Sequence, residues 1–413
     1  MTGKFHTMWG DFHSLKNKAA LEFEVYNMLT LGAKCMVGDQ LDPNGKISKS
    51  VYDLIGSIYR EVEKKEPWCQ NVKAVTEIGV LSPEEFYGTG PGGSRELPVS
   101  LRGAIRMLQE SAQQFDVLDS LSDFSQYKVL VMPDVIPVSD ELAEKISTYL
   151  KGGGKLISTF ESGLNPNKTQ FNLNELGIQL NEAQTKDLHG NLVRGKHYGT
   201  FDYADYIIPT NEIGKGLPET EHAMYMKGIE VTAEPGAEVL AQAIQSYFNR
   251  TYMHYCSHRQ TPSSGEAGYD AIVKKGNVIY FAHPLFTQYN QNAPRWCKTM
   301  FLNALAMLMG SSILTHNGPS TLLANVNAQE KENRWVVHLL HYIPERRSND
   351  IDIIEDVIPL YNVKLVVKTI KEVQSIVCVP AGEILDFVSK DGGVEFTVPD
   401  IHGHQMVSIQ YKF

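Results

Sequence analysis

What this sequence lacks already limits what it can be. Cysteine is scarce and odd in number: Cys35, Cys69, Cys256, Cys297 and Cys378 are scattered through 413 residues. That argues against a disulfide framework and mildly for a reducing compartment. No apolar run approaches the ~20 residues a membrane helix needs. The start, "MTGKFHTMWGDFH", has no apolar core of a secretory signal, so a cytoplasmic location is favoured unless a leader is encoded upstream. Without a secretory context, the sequons at Asn167 and Asn249 carry little weight. Positive charge is also short. The formal net charge is −10, with no basic block, which speaks against nucleic acid or an anionic membrane as partner. The Gly-rich stretch "GTGPGGSRE" lacks the Lys-Ser/Thr of a phosphate loop and the GxGxxG spacing, so it reads as a solvated loop. No cofactor motif, repeat or low-complexity tract is present, and no cofactor is expected.

What is present is an ordinary globular composition, 42% hydrophobic and 21% charged. Length suggests two to four domains at about 150 residues each, and three blocks emerge. In residues 1–70, "KFHTMW" and "AKCMVGDQL" read as strands. "KNKAALEFEVYNMLTLG" reads as a buried helix stopped by Gly32. "SVYDLIGSIYREVEKKEPW" reads as a helix capped by Ser48 and ended by Pro67. This β-α-β-α order predicts two parallel neighbouring strands. Residues 71–312 alternate strands ("VKAVTEIGVLSP", "DVLDS", "YKVLVMPDV", "KLISTF") with helices ("VSLRGAIRMLQESAQQF", "SDELAEKISTYLKGGG"). That predicts an α/β domain with a parallel, flavodoxin-like sheet. Residues 313–413 carry short alternating strands ("RWVVHLLHY", "VKLVVKTI", "SIVCVP", "VEFTVP", "MVSIQYKF") and predict an antiparallel β-sandwich.

Two parallel βα units expose edges and an unburied face, so they suit a larger sheet, and an eight-fold TIM-type barrel is the natural one. There, functional residues follow the C-terminal ends of strands. "WGDFH" and "GDQLDP" fall at such places, which puts Asp11 and Asp39 at equivalent positions on adjacent loops. Two carboxyl groups are what glycosidic bond cleavage needs. Equally, Asp11 can cap its loop and Asp39 a turn. Trp9 is a stacking platform for a sugar face or a core aromatic. His6, His13, Lys16 and Gln40 share the rim as candidate substrate contacts or structural hydrogen bonders.

"GKFHTMWGDFHSLKNKAALEFEVYNMLTLGAKCMVGDQLDPNGKI" and "VYDLIGSIYREVEKKEPWC" resemble the last part of the barrel of a group of glycoside hydrolases. The group is related to family 42 β-galactosidases and to α-L-fucosidase-like enzymes. The resemblance runs in order through all 413 residues. It implies two final barrel units in residues 1–70. A class I glutamine amidotransferase-like "β-galactosidase trimerisation" domain follows in 71–312, and a C-terminal β-domain in 313–413. It further implies a carbohydrate substrate, a homo-oligomer (dimer or trimer), and hydrolysis of glycosidic bonds of oligosaccharides by the complete protein. The first six or so βα units of the barrel have no counterpart here, so little activity is expected of the chain alone. The alternative is a non-catalytic oligomerisation or carbohydrate-binding protein. Where such an amidotransferase carries its nucleophilic Cys, "KLISTFESGLN" has Phe160, Glu161 and Ser162, which implies an elbow kept in shape without its chemistry. The resemblance also suggests that His258 and Arg259 of "YMHYCSHRQ" reach a barrel mouth. On a strand, His254, Cys256 and His258 would share one face as a metal set, but no fourth ligand is evident and no metal is expected. Residues 1–70 are expected to pack on the middle domain, with Glu66-Pro67-Trp68 closing the outer wall.

Overall fold

The computed structural model describes residues 1–87, 97–197, 204–369, 371–390 and 392–412. The Gly-rich stretch 88–96 lies outside the described residues. The fold is mixed α/β and divides into two compact units. One comprises residues 1–76, 109–114 and 312–413; the other comprises 77–108 and 115–311.

The chain opens with β1 (Thr2–Gly3), α1 (Lys18–Thr30), β2 (Val37–Gly38) and α2 (Lys49–Lys65). β1 and β2 are parallel, Thr2 opposite Val37 and Gly3 opposite Gly38, but each spans only two residues. Helix α1 starts where Asn17 Oδ1 accepts the Ala20 amide at 2.9 Å and ends before Gly32, whose φ of 72° closes the C-terminus. Ser48 stands at the N-cap of α2 as the sequence suggests, but its hydroxyl bonds Ser50 and caps no backbone amide. The buried face of α1 (Leu21, Val25, Tyr26, Leu29) and that of α2 (Ile58, Val62) share a core with Leu340, Tyr342 and Ile354. Each such side chain contributes roughly 1.5–3 kcal/mol of burial. The expectation that residues 1–70 pack on the middle domain is therefore corrected. Their apolar faces meet the C-terminal strands. Polar ties point the same way: Asn17 Nδ2 donates to Ile354 O at 2.8 Å and Asn327 Nδ2 to Thr30 O at 3.1 Å.

The second unit is built on a nine-stranded sheet. Its elements are β3 (Ile78–Leu81), α3 (Val99–Gln109), β4 (Phe115–Leu118), β5 (Val129–Met132), α4 (Asp140–Lys151), β6 (Lys155–Thr159), β7 (Asp205–Ile207), β8 (His222–Met224), β9 (Glu238–Ser246), β10 (Ser263–Lys275), β11 (Val278–Phe281), α5 (Leu285–Asn292) and α6 (Arg295–Met309). The strand order is β8-β7-β9-β10-β11-β6-β5-β3-β4. β11, β6, β5, β3 and β4 run parallel, and β10, β9, β7 and β8 add antiparallel pairs. Of the parallel strands, β3, β5 and β11 are apolar and buried at every position, as strands covered on both faces must be.

Close packing shows at Gly103 of α3, where an added Cβ would lie 2.0 Å from the Phe286 carbonyl oxygen. Backbone cannot yield as a flexible side chain would. Gly103→Ala is therefore expected to lower stability in urea unfolding by about 1–3 kcal/mol. Gly56→Ala in α2, whose Cβ would meet only Arg60 Nη1 at 3.5 Å, is expected to be neutral or to raise stability by about 0.5–1 kcal/mol through helix propensity.

Two antiparallel sheets complete the first unit. β12 (Leu314–His316), β15 (Leu360–Lys368), β18 (Phe387–Lys390) and β19 (Gly393–Ile401) form one, in the order β12-β15-β19-β18. β13 (Leu322–Gln329), β14 (Arg334–His341), β16 (Val373–Val379), β17 (Glu383–Leu385) and β20 (His404–Tyr411) form the other, in the order β17-β16-β20-β14-β13. Lys73–Ala74 is its edge strand beside β13. Leu365, Val367, Val394 and Phe396 from the first sheet share a core with Val326, Val337, Leu339, Val407 and Ile409 from the second. "VKAVTEIGVLSP" is thus not one strand. Lys73–Ala74 serves one unit and Ile78–Leu81 the other.

Candidate functional site

The loops after β1 and β2 lie side by side because the strands are parallel neighbours. The Lys4 amide donates to Gly38 O at 3.0 Å, and the Lys16 amide returns to Lys4 O at 2.9 Å, closing the first loop. Trp9 packs edge-on against Phe5 with centroids 5.0 Å apart and lies over Gly38. A Cβ there would sit 2.4 Å from the indole, so only glycine fits. Trp9 nonetheless remains 51% exposed, leaving ring surface open to a ligand.

Asp39 is the buried carboxylate of this rim. It forms an ion pair with Lys4 at 3.8 Å, the two side chains only 9% and 5% exposed. Its Oδ1 accepts the Gln40 amide at 2.7 Å. Asp39, Lys4, His13 and Gln40 line one depression of about 140 Å³. Asp11 lines neither this depression nor the neighbouring hollow. It accepts the Thr7 hydroxyl at 2.6 Å, and Ser14 bonds its main-chain oxygen at 3.0 Å. Those two hydroxyls, Thr7 foremost, hold its carboxyl below the usual range. That state suits a charged acceptor and not a proton donor.

His6 and Lys16 belong to the adjoining hollow of about 510 Å³, with Asn17, Phe23 and Glu24. Lys16 is committed there to Glu24 at 2.7 Å and to Thr2 Oγ1 at 3.1 Å. The structure thus gathers Asp39, His13 and Gln40, places His6 and Lys16 next door, and sets Trp9 over the ribbon. Lys4 was missed by sequence reasoning. A lone lysine entering a short apolar strand, "GKFH", was the available signal.

His258 and Arg259 lie in the other unit, on the exposed connection 247–262 between β9 and β10. That connection contains no strand, so the shared face on which a His254, Cys256 and His258 metal set depends is not formed. His254 stacks on Phe248 with centroids 3.7 Å apart. Arg250 Nη2 instead donates to Cys256 O at 2.9 Å and to His258 O. Among the described residues, no three His, Cys, Asp or Glu side chains are placed to hold a metal.

At the end of β6, Phe160 takes a φ of 52°, a sharp turn off the strand. Glu161 is held by Arg194 at 2.8 Å and Lys168 at 2.6 Å. Ser162 is out of solvent, and its hydroxyl accepts the Ile136 amide at 3.0 Å. The bend carries no available nucleophile.

Residues 106–202 match the family model of the β-galactosidase trimerisation domain. No curated protein sequence matches the chain. Among solved structures, α-L-fucosidase isoenzyme 2 from Paenibacillus thiaminolyticus is 33% identical with a TM-score of 0.89, covering 100% of this chain and 60% of that one. The β-galactosidase from Bacillus circulans sp. alkalophilus is 15% identical with a TM-score of 0.62, covering 97% and 53%. The β-galactosidase from Rahnella sp. R3 is 15% identical with a TM-score of 0.60, covering 97% and 52%. The last two show a shared fold. The chain therefore spans between half and two thirds of the length of these three structures. A segment of it is similar to the trimerisation domain, and the chain resembles the C-terminal part of glycoside hydrolases.

Proposed function

We propose that this chain is the C-terminal part of a glycoside hydrolase that cleaves O-glycosidic bonds, with an α-L-fucoside as the first substrate to test. The carrying observation is 33% identity at a TM-score of 0.89 over the whole of this chain. The β1–β2 ribbon supports the reading. Two strands of two residues each are too short to be stable alone, and their parallel pairing suits a TIM-type barrel completed by further strands. In that setting the Asp39 carboxylate, paired with Lys4, accepts hydroxyls of the bound sugar, with Gln40 and His13 beside it. Trp9 offers the exposed ring for a sugar face. Asp11 serves as a charged group at the rim or as the anchor of its loop. The second unit, flavodoxin-like and shaped like an amidotransferase with no nucleophile at Phe160–Ser162, acts in assembly. The complete protein is a homo-oligomer, and His258 and Arg259 stand on an exposed connection suited to reach a neighbouring barrel mouth. As it stands, the 413-residue chain has little activity of its own.

Hydrolysis of 4-nitrophenyl α-L-fucoside and 4-nitrophenyl β-D-galactoside by the full-length gene product tests this. Asp39→Asn is expected to lower kcat/KM on the cleaved glycoside by about 10²-fold, the scale for losing one well-placed polar contact to the transition state. Unchanged turnover in both Asp39→Asn and Asp11→Asn removes them from catalysis. Cleavage of neither glycoside counts against the proposal.

A further inference from the structure

A cavity of the second unit shares no lining residue with the Asp39 depression, although its Tyr247, Phe248 and Asn249 open the connection that also carries His258 and Arg259. It is a cleft of about 680 Å³ where the β9–β10 hairpin faces residues 181–185 and 227–232. That volume falls in the range of roughly 300–1,000 Å³ usual for small-molecule sites. Its chemistry is unlike a drug-type pocket, because polar side chains dominate the lining.

The floor is fixed and electrically satisfied. Lys227 donates to the buried Asp205 at 2.8 Å, and the Tyr269 hydroxyl donates to the same carboxylate. Glu230 accepts the Thr185 amide at 3.1 Å and the Thr185 hydroxyl. Asp270 accepts the Ala233 amide at 2.8 Å and Gln242 Nε2 at 3.3 Å. The lining holds one cation, Lys227, against two carboxylates, Glu230 and Asp270. An anionic ligand therefore meets excess negative charge and a lysine already committed.

The rim is different. Among the described residues, the side-chain amides of Gln245 and Asn249 and the hydroxyl of Tyr247 make no hydrogen bond to the protein. An amide presents donors and an acceptor together, which matches a pair of neighbouring hydroxyls. Tyr247 is 69% exposed, and Phe248 beside it is braced by its stack on His254. Between them they offer aromatic surface for the apolar face of a ring. The hairpin is not regular: the β9–β10 register shifts between Val239/Ala241, Ala241/Gln242, Gln242/Ile244 and Ile244/Ser246. Such irregularities can re-aim side chains and are over-represented at sheet edges and beside functional sites.

We infer that this cleft is a second carbohydrate site, one that binds a neutral saccharide through Gln245, Asn249 and Tyr247 and is distinct from the Asp39 depression. Calorimetric titration of the 413-residue protein with lactose, with methyl α-L-fucoside and with glucuronate tests it. At least one neutral sugar is expected to bind and glucuronate is not. Gln245→Ala combined with Asn249→Ala is expected to weaken that binding at least tenfold, while Asp39→Asn leaves it within twofold. Three results overturn the inference: no binding of either neutral sugar, binding abolished by Asp39→Asn and kept in the double variant, or a change of oligomer mass by light scattering in the double variant, which makes the cleft a seat for a second copy of the chain. Binding abolished by Asp39→Asn would place the sugar at the Asp39 depression and leave hydrolysis there standing, and the other two outcomes do not touch Asp39, so the two readings fail separately.

Discussion

Asp205→Ala is expected to destabilise the nine-stranded unit by about 3–5 kcal/mol in urea unfolding, the cost of stripping one partner from a buried ion pair. Asp205 sits at the start of β7, 1% exposed. It accepts from Lys227 Nζ at 2.8 Å, from the Gly228 amide at 3.1 Å, from the Tyr269 hydroxyl, and lies 3.1 Å from His283 Nε2. Burial pushes its carboxyl up, but the Lys227 charge and the His283 hydrogen bond outweigh that and hold it far below the usual range. The same pairing raises Lys227 against the downward push of its own burial. Because the unfolded carboxyl takes its proton first, this stabilisation is complete above about pH 4 and is lost as pH falls further. Removing the carboxylate leaves a buried ammonium whose remaining counter-charge, Glu230, lies 3.9 Å away. Replacing both groups together, Asp205→Leu with Lys227→Met, removes that penalty and is expected to recover much of the loss. A single variant within about 1 kcal/mol of wild type would show the cluster to be ornamental.

That cluster illustrates what the sequence could not show. Asp205, Lys227, Tyr269 and His283 are spread over 79 positions, and charged residues read singly as surface groups; only the sheet brings them together. Strands whose alternation is undisturbed were legible: β14, β15, β16, β19 and β20 lie where their patterns put them. β13 was not, although Asn325, Asn327 and Gln329 alternate with Ala324, Val326 and Ala328, because asparagine is scarce in strands. Those polar side chains have work on the neighbouring element, bonding Thr30 and Pro67 carbonyls or hydroxyls at the ends of α1 and α2. The apolar stripe of α1 announced a buried face but not the surface it meets, so its packing on the C-terminal strands was unreadable. At the candidate site, Asp39 and its loop were legible from their place after a strand. Lys4, its ion-pair partner, required the register of β1 on β2. The glycoside-hydrolase resemblance was legible because "WGDF" and "GDQL" are local patterns that survive without knowledge of the fold.

Acidification is expected to weaken the first unit steeply, by roughly 2–3 kcal/mol per pH unit between about pH 6 and pH 4, because two buried imidazoles resist protonation. His338 of β14 and His404 of β20 stack with ring planes 8° apart, and His338 Nδ1 lies 3.2 Å from His404 Nε2. The remaining ring nitrogens, His338 Nε2 and His404 Nδ1, are buried without a hydrogen-bond partner. Lys65 of α2 closes the site from above, its ammonium donating to the His404 carbonyl at 3.2 Å. Burial, reinforced by the Lys65 charge, pushes His338 down to about 3 and His404 well below the ordinary imidazole range. The sign follows from where protons bind. Unfolded imidazoles titrate near 6.5, so over the window from there down to about 3 the unfolded chain carries about two more protons than the folded one. Stability is therefore full above the unfolded value and falls as pH falls, each imidazole contributing about 1.4 kcal/mol per unit. The element at risk is α2, whose Lys65 faces the new charge, and α2 follows directly on the loop that holds Asp39. Urea midpoints measured at steps between about pH 7 and pH 4 should drop accordingly, and His338→Gln should roughly halve the slope. A midpoint that stays flat across this range, or a slope unchanged in His338→Gln, would mean that the stacked pair accepts a proton at little cost and does not gate the seating of α2.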